Sequence, residues 1–507
     1  MTSAPCLMVQ GTASGVGKSL LVAAFCRIFA RAGYRVAPFK AQNMSLNAAV
    51  TVDGGEIGRA QAMQAAAAGL EPTVDMNPIL LKPERDDRSQ VVVRGRAVAT
   101  LDWRGYERLT PTLWPVVVES LERLRSAHDL VVIEGAGSPA EINLDTDLAN
   151  MRVAAAAEAP VVLVGDIDRG GVFAALVGTL ALLAPADRAR VAALVVNRLR
   201  GDASVLGRGL ELLTARTGVP VLGVVPHLGA APVPDEDSLD LDDAWGEPGA
   251  GARVVVVVPR LPRIANFDDL EALAAEPGVV VRFVTRPEAI DAADVIVLPG
   301  SKTTIGDLAW LRERRLDAAI VRAAREGRVV IGVCGGYQML GERLDDPDGV
   351  ESDGASVAGL GLLPVVTTFA RDKTTRRVHG TVLAGGPLHA AAGATLDGYE
   401  IHCGRTTAHG GTPVFAVPAL GDGSAGVDGT RVGSVIGTYL HGCFGSGVLR
   451  RALLTAAVSR RGGVPDPHWG ADALAGRYDR LADRVAAALD LDALARLARC
   501  PLGAVTA

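Results

Sequence analysis

No C-x-x-C pair occurs in the 507-residue chain, and its six cysteines, Cys6, Cys26, Cys334, Cys403, Cys443 and Cys500, follow no regular spacing. That pattern excludes a zinc ribbon and a disulfide framework and leaves reduced thiols as the expectation. Aromatic residues are scarce, at 4%. Although 49% of residues are hydrophobic, no apolar run reaches the ~20 residues that a bilayer-spanning helix needs, so no membrane association is expected. No basic segment precedes an apolar one at the start of the chain, which argues against a secretory signal and predicts a cytoplasmic protein. Positive charge is not in excess either: 51 Lys and Arg against 57 Asp and Glu give a net charge of −6, which disfavours a nucleic-acid partner. Repeats and low-complexity tracts are absent. What remains is a chain long enough for two to four domains, each with its own core.

The stretch Val329-Val330-Ile331-Gly332-Val333-Cys334-Gly335-Gly336-Tyr337-Gln338 places a cysteine between a β-branched run and a helix-forming segment. Such a cysteine sits on a sharp strand-to-helix turn, where glycines relieve the crowding and the helix start aims N–H groups at a thiolate. Holding a thiol of pKa ~8.5 as thiolate at neutral pH costs about 2 kcal/mol, which a helix end and a nearby histidine can offset. The plainer alternative is a buried core cysteine. Two further strand ends accompany it: Val295-Ile296-Val297-Leu298-Pro299-Gly300-Ser301-Lys302, and Ser434-Val435-Ile436-Gly437-Thr438-Tyr439-Leu440-His441.

Near the N-terminus a short strand at 7–10 runs into Gly11-Thr12-Ala13-Ser14-Gly15-Val16-Gly17-Lys18-Ser19 and then into an apolar helix. Strand, glycine loop and helix in succession let backbone N–H groups converge on phosphates, here those of ATP. Lys18 is placed to meet the terminal phosphates and Ser19 a Mg2+ ion. Position 12 is threonine where the strict phosphate-loop pattern has glycine.

Further strands end in chemistry-bearing residues. Leu130-Val131-Val132-Ile133 delivers Glu134 into a glycine turn, the arrangement expected of a magnesium carboxylate. The loop after it, Glu141 to Met151, carries Asp147 among carboxylates and amides suited to metal, phosphate or substrate, or simply to solvent. Strands at 161–166 and 192–196 repeat the design, the second ending at Asn197, and Lys40, Gln42, Asn43 and Asn47 follow the strand at 36–39. In an open α/β sheet, ligands bind beyond the carboxyl ends of strands. Strands alternating with helices predict a doubly wound, mostly parallel α/β sheet, followed by a second α/β domain. The boundaries expected are 1–235 for the first domain, 236–251 for a Pro-, Gly- and acid-rich linker, 252–450 for the second domain and 451–507 for a C-terminal helical segment.

The three segments around Gly300, Cys334 and His441 resemble the class I glutamine amidotransferases. The resemblance implies Cys334 as nucleophile, His441 as its base, Gly300 and Gly335 as oxyanion donors, and glutamine as nitrogen donor. Where that family has a glutamate two residues after the histidine, this chain has Cys443, which leaves Glu400 as the candidate that orients His441. The glycine loop, with its threonine at position 12 and Gly15, Val16, Gly17, Lys18 and Ser19, resembles that of dethiobiotin synthetase, whose relatives recognise adenine at the place of Asn197. Lys40 to Asn47, Glu56 to Gln61, Met76 to Pro83, Val233 to Leu239 and Gly398 to Thr406 resemble the cobyric acid synthase family in family order, and matches extend from about residue 7 to 484. That resemblance implies amidation of the b, d, e and g carboxylates of a corrinoid, adenosylcobyrinic acid a,c-diamide, with ATP and glutamine, and puts Lys40, Gln42, Asn43, Asn47 and Asp147 on the substrate side. The alternatives are cobyrinic acid a,c-diamide synthase, or a P-loop ATPase switch, which would have no use for Cys334 and His441.

Overall fold

The computed structural model describes residues 3–141, 147–228, 252–352, 354–383, 385–419, 424–472 and 475–502. The Val233–Leu239 resemblance, the expected linker and most of the loop before Asp147 lie outside the described residues. Packing divides the chain into two units, one of residues 1–45, 51–238 and 476–507, the other of residues 46–50 and 239–475.

In the first unit six parallel strands form one sheet in the spatial order Val221–Pro226, Val191–Leu199, Val161–Asp166, Cys6–Gly11, Leu130–Glu134, Val36–Phe39. These are the β-branched runs of the sequence, and most are buried on both faces, as a sheet covered by helices requires. Cys6–Gly11 lies in the middle, so the glycine loop that follows opens where the strand order reverses. A smaller sheet carries Gln42–Met44 parallel to Ile79–Arg85, continued by the antiparallel strands Arg88–Val93 and Arg96–Leu101. The segment 76–83 thus contributes the start of a buried strand to this sheet, whereas 56–61 spans the strand Glu56–Gly58 and the start of helix Arg59–Ala67.

The stretch after residue 450, expected as one helical segment, is divided between the units. Helix Gly447–Ser459 packs in the second. Helices Arg477–Ala486 and Leu491–Ala498 join the first, where Leu481, Val485 and Leu494 share a core with Phe25 and Phe29 of helix Lys18–Arg31. Arg27 pairs in bidentate fashion with Asp479, at 2.8 Å for both bonds. The amphipathic helix at 477–486 therefore buries its apolar stripe on the phosphate-loop helix. Leu481→Ala should lower the thermal midpoint of the first unit, since a fully buried leucine truncated to alanine costs about 2–5 kcal/mol. An unchanged melting curve would remove the C-terminal helices from that core.

The second unit is built on five parallel strands in the order Val279–Val284, Val254–Pro259, Val295–Leu298, Val329–Val333, Val435–Thr438, with Thr430–Val432 antiparallel at the edge. A long antiparallel pair, Val365–Val382 with Thr395–Ala408, lies in a second sheet. Its alternation is obscured in the sequence by Thr, Arg and His residues at half-buried positions.

Candidate active sites

In the first unit the loop 11–19 wraps tightly before its helix. Gly15 and Gly17 take φ of 70° and 92°, the left-handed region. A Cβ on Gly17 would strike the Asn197 amide. Asn197 Nδ2 donates to Val16 O at 2.7 Å, and the Thr12 N–H donates to Val164 O at 2.9 Å, so the loop is tied to two neighbouring strands. Lys18 Nζ donates to Ala13 O at 2.9 Å and Gly137 O at 3.3 Å, folded over the mouth of the loop.

Glu134 is fully buried at the end of its strand. Its Oε1 accepts from Ser19 Oγ at 2.9 Å and Lys40 Nζ at 2.8 Å, and its Oε2 accepts from Gln64 Nε2 at 2.5 Å. Burial pushes the carboxyl pKa up, but the Lys40 charge, the hydrogen bonds from Lys40 and Gln64, and the Lys18 charge outweigh it and hold the group below its ordinary value. The carboxylate is therefore ionised. A magnesium ion binds oxygen at about 2.1 Å in an octahedron, in which adjacent ligands stand roughly 3 Å apart. The 2.9 Å between Ser19 Oγ and Glu134 Oε1 fits two such neighbours.

The substrate-side candidates divide. Lys40 is in this cluster, and its carbonyl is held by Asn77 Nδ2 at 3.1 Å. Gln42 accepts from Tyr106 Oη at 2.5 Å, and Asn43 Nδ2 donates to Gln61 Oε1 at 3.2 Å. Asn47 is buried. Asp147 is turned onto its own chain, its Oδ1 accepting from the N–H groups of Ala149 and Asn150, both at 2.8 Å. Sequence reading passed over Asn150, which accepts from Ala136 N at 3.1 Å and donates to Ala136 O at 2.7 Å, clamping the turn after Glu134. Gln64 was missed too, because a glutamine inside an alanine-rich helix carries no spacing signal.

In the second unit Cys334 occupies φ 52°, ψ −107°, strained for a residue with a Cβ. It is held there because its N–H donates to Thr438 O at 2.8 Å and because Gly336 lies against Leu298 O, where no Cβ fits. A Cβ on Gly335 would come within 2.9 Å of Ser301 N, and one on Gly300 within 3.1 Å of His441 Cε1. Gly300, Cys334, Gly335 and His441 are thus brought together, as the three strand ends predict.

His441 is buried, with the Tyr399 ring stacked on it at 5.2 Å. Its Nδ1 lies 2.6 Å from Asp269 Oδ2, and Asp269 Oδ1 accepts from Gly442 N at 2.6 Å. Burial alone would lower the imidazole pKa; the Asp269 charge and hydrogen bond, with a smaller contribution from Cys334, raise it to about 10. The group that orients His441 is therefore Asp269, and the expectation of Glu400 is corrected. Glu400 instead takes both nitrogens of Arg376, at 2.8 and 3.1 Å. Strand alternation explains the difference: Tyr399 turns its ring to His441, so the next side chain points to the opposite face. Cys443, two residues after the histidine, is a buried thiol pushed well above its ordinary pKa by burial and by Asp269 and Asp428. Asp269 lies in the turn Phe267–Leu270, 172 residues before the histidine. In sequence the pair Asp268-Asp269 reads only as acids at a helix start.

Cys334 Sγ lies 3.5 Å from Ile401 O, so strand Thr395–Ala408 covers the thiol. Gln338 is fixed by Thr304 Oγ1, which donates to its Oε1 at 2.9 Å, and by its own donation to Tyr439 Oη at 3.2 Å.

A buried Cys–His–Asp array in one unit, and a phosphate loop beside an ionised carboxylate in the other, are the equipment of an amide-transferring ligase. Residues 7–232 match the CobQ/CobB/MinD/ParA nucleotide binding domain, and residues 255–448 the CobB/CobQ-like glutamine amidotransferase domain. The chain is 54% identical to a cobyric acid synthase of Sorangium cellulosum over 97% of this chain and 98% of that one. It is 50% identical to one of Desulforudis audaxviator over 95% of each, and 48% identical to one of Dehalococcoides mccartyi over 96% and 97%. With both domains in order and near-complete coverage at this identity, the chain belongs to the cobyric acid synthase family.

Proposed function

We propose that the protein catalyses ATP- and glutamine-dependent amidation of the b, d, e and g carboxylates of adenosylcobyrinic acid a,c-diamide in cobalamin biosynthesis. The observation that carries this reading is the pairing, on one chain of that family, of Glu134 and Ser19 beside a phosphate loop with Cys334, His441 and Asp269. A carboxylate is a poor electrophile, and transfer of the γ-phosphoryl group of ATP converts it to an acyl phosphate that ammonia attacks, releasing phosphate.

In the glutamine-hydrolysing unit, Cys334 Sγ attacks the amide carbon of glutamine. The Gly300 and Gly335 N–H groups receive the oxyanion, where one such donor is typically worth about 3 kcal/mol. His441 gives its proton to the departing ammonia, and water then opens the thioester to glutamate. Asp269 holds the imidazole with Nδ1 protonated and stabilises its cationic form, as a buried acid does in a serine-protease triad.

In the synthetase unit, Lys18 and Lys40 balance phosphate charge, and Asn197, bonded to the glycine loop through Val16 O, recognises the adenine. Ser19 and Glu134 would hold a magnesium ion, which supplies charge neutralisation at the phosphates. Lys40, paired with Glu134, is the substrate-side residue that lies in the Ser19–Glu134 cluster, and Asp147 keeps its loop in shape. Glu134→Gln should raise the magnesium concentration needed for half-maximal ADP release more than tenfold, because a neutral amide gives up the charge that draws the ion. A magnesium titration matching wild type would return Glu134 to a structural role. The whole reading is tested by ADP release with glutamine and a panel of corrinoid carboxylic acids: release should require a corrinoid carboxylate, and corrinoid-independent turnover at the same rate would defeat the assignment.

A further inference from the structure

The Gly300–Ser301 strand carries one side of the proposed oxyanion site, and it forms a two-stranded antiparallel sheet with Ile264–Ala265, itself two residues long. A ladder that short is weak by itself. Its position nevertheless matters. Ser301 N stands 2.9 Å from where a Cβ on Gly335 would be, so the strand and the turn after Cys334 meet backbone to backbone. A displacement of ~1 Å at such a place can cost about 100-fold in rate.

The group that fixes the strand is a carboxylate outside it. Asp307 is buried in the first turn of helix Thr304–Glu313. Its Oδ2 accepts from Ser301 Oγ at 2.6 Å and its Oδ1 from Arg263 N at 3.3 Å. One side chain thus ties Ser301 to the residue that leads into the partner strand. Ser301 Oγ in turn accepts from Thr303 N at 3.1 Å, so its single proton is left for Asp307. The corner is closed by Asp307 N donating to Thr303 O and Lys302 N donating to Arg263 O, both at 2.9 Å.

The start of the same helix also reaches the nucleophile's side of the site. Thr304 Oγ1 donates to Gln338 Oε1 at 2.9 Å, and Gln338 belongs to helix Gly335–Leu340, which begins directly after Cys334. Helix Thr304–Glu313 therefore sets both halves of the site in register, the strand through Asp307 and the nucleophile's helix through Thr304. Burial pushes the Asp307 carboxyl up to about 6, against the hydrogen bonds from Ser301 and Arg263 N and the Arg263 charge that draw it down. At neutral pH it is mostly ionised and accepts from both strands at once.

We infer that Asp307 is a positioning residue for glutamine hydrolysis, which acts through Ser301 to hold the Gly300–Ser301 strand at the distance from Gly335 that the oxyanion on the Cys334 adduct requires. The inference rests on the glutaminase reading proposed above.

The test compares two reactions of Cys334 in the full chain. Attack on glutamine builds negative charge on the amide oxygen, whereas alkylation by iodoacetamide forms a C–S bond as iodide leaves and builds none there. Ser301→Ala should lower kcat for glutamate release about 100-fold, with KM for glutamine little changed, the signature of an interaction made only in the transition state. Iodoacetamide labelling of the Cys334 peptide, followed by mass spectrometry, should keep its wild-type rate. Asp307→Asn has one acceptor oxygen, which serves Ser301 or Arg263 but not both, and should lose about tenfold. The double variant should lose no more than Ser301→Ala alone, because the two residues act as one unit. Ammonium-supported amidation should be retained in all three. Wild-type kcat in Ser301→Ala, losses that multiply in the double variant, or labelling that slows in step with kcat would overturn the inference alone. Absence of glutamate release by wild type would defeat the glutaminase reading and this inference with it.

Discussion

Cys334→Ala should abolish glutamine-supported amidation, a loss of at least about 1,000-fold, while amidation supported by ammonium salts stays near the wild-type rate. The nucleophile forms the covalent bond itself, so no neighbouring group can replace it, and loss of a nucleophile from such an array typically costs a factor on the order of a million in kcat. None of the other five cysteines can substitute. Cys443, two residues from His441, is held neutral by burial and by the Asp269 and Asp428 charges, and Cys6, Cys26 and Cys500 are buried elsewhere with raised pKa values. Cys403 is the more exposed neighbour, but it is not on an elbow. Measurement of glutamate and amide formation in parallel decides the matter: glutamine-supported turnover in the purified variant would displace Cys334 from the mechanism.

Asp269→Asn should lower glutamine-supported activity about 100- to 10,000-fold and leave ammonium-supported activity intact. The amide cannot stabilise the imidazolium, and it can turn its NH2 toward Nδ1, favouring the wrong tautomer, the change that costs roughly 10,000-fold in a serine-protease triad. The pH profile carries a second signature. With the Asp269 charge in place the histidine pKa is raised from 6.5 to about 10, and the ion pair persists up to that limit. Removing the charge lowers the histidine pKa, so the alkaline limb of the glutaminase profile should move to lower pH, its values belonging to the coupled Cys–His pair. Glu400→Gln should leave that limb where it is. If Glu400→Gln moved the limb and Asp269→Asn did not, the assignment would be reversed.

The main sheets and the nucleophile were legible in the sequence because most of their strands are short apolar runs, many β-branched and several ending in a glycine turn, a local signal. Glu134, Lys18, Cys334 and His441 all stand at such ends. Asp269 was not legible: it lies on a three-residue-period turn far from the histidine, and nothing local separates it from Asp268. Glu400 was misjudged because which face a strand residue takes depends on its partner strand, and the pairing of Tyr399 with His441 sets that register. The covering hairpin was obscured by polar residues that are half-buried, since its strands line a site rather than a simple core. The return of the C-terminal helices to the phosphate-loop helix is a long-range packing outcome. Periodicity marked the apolar stripe of 477–484 but not its destination.

The central claim is that this one chain draws nitrogen from glutamine at Cys334 and installs it on corrinoid carboxylates activated at the phosphate loop. It is tested most directly by mass analysis of the corrinoid product formed from the a,c-diamide with magnesium, ATP and glutamine labelled with nitrogen-15 in its side-chain amide, with ADP and glutamate counted in the same samples. The account predicts a product carrying four labelled amides, with one ADP and one glutamate released for each. Glutamate and ADP formed without label entering the corrinoid would contradict it.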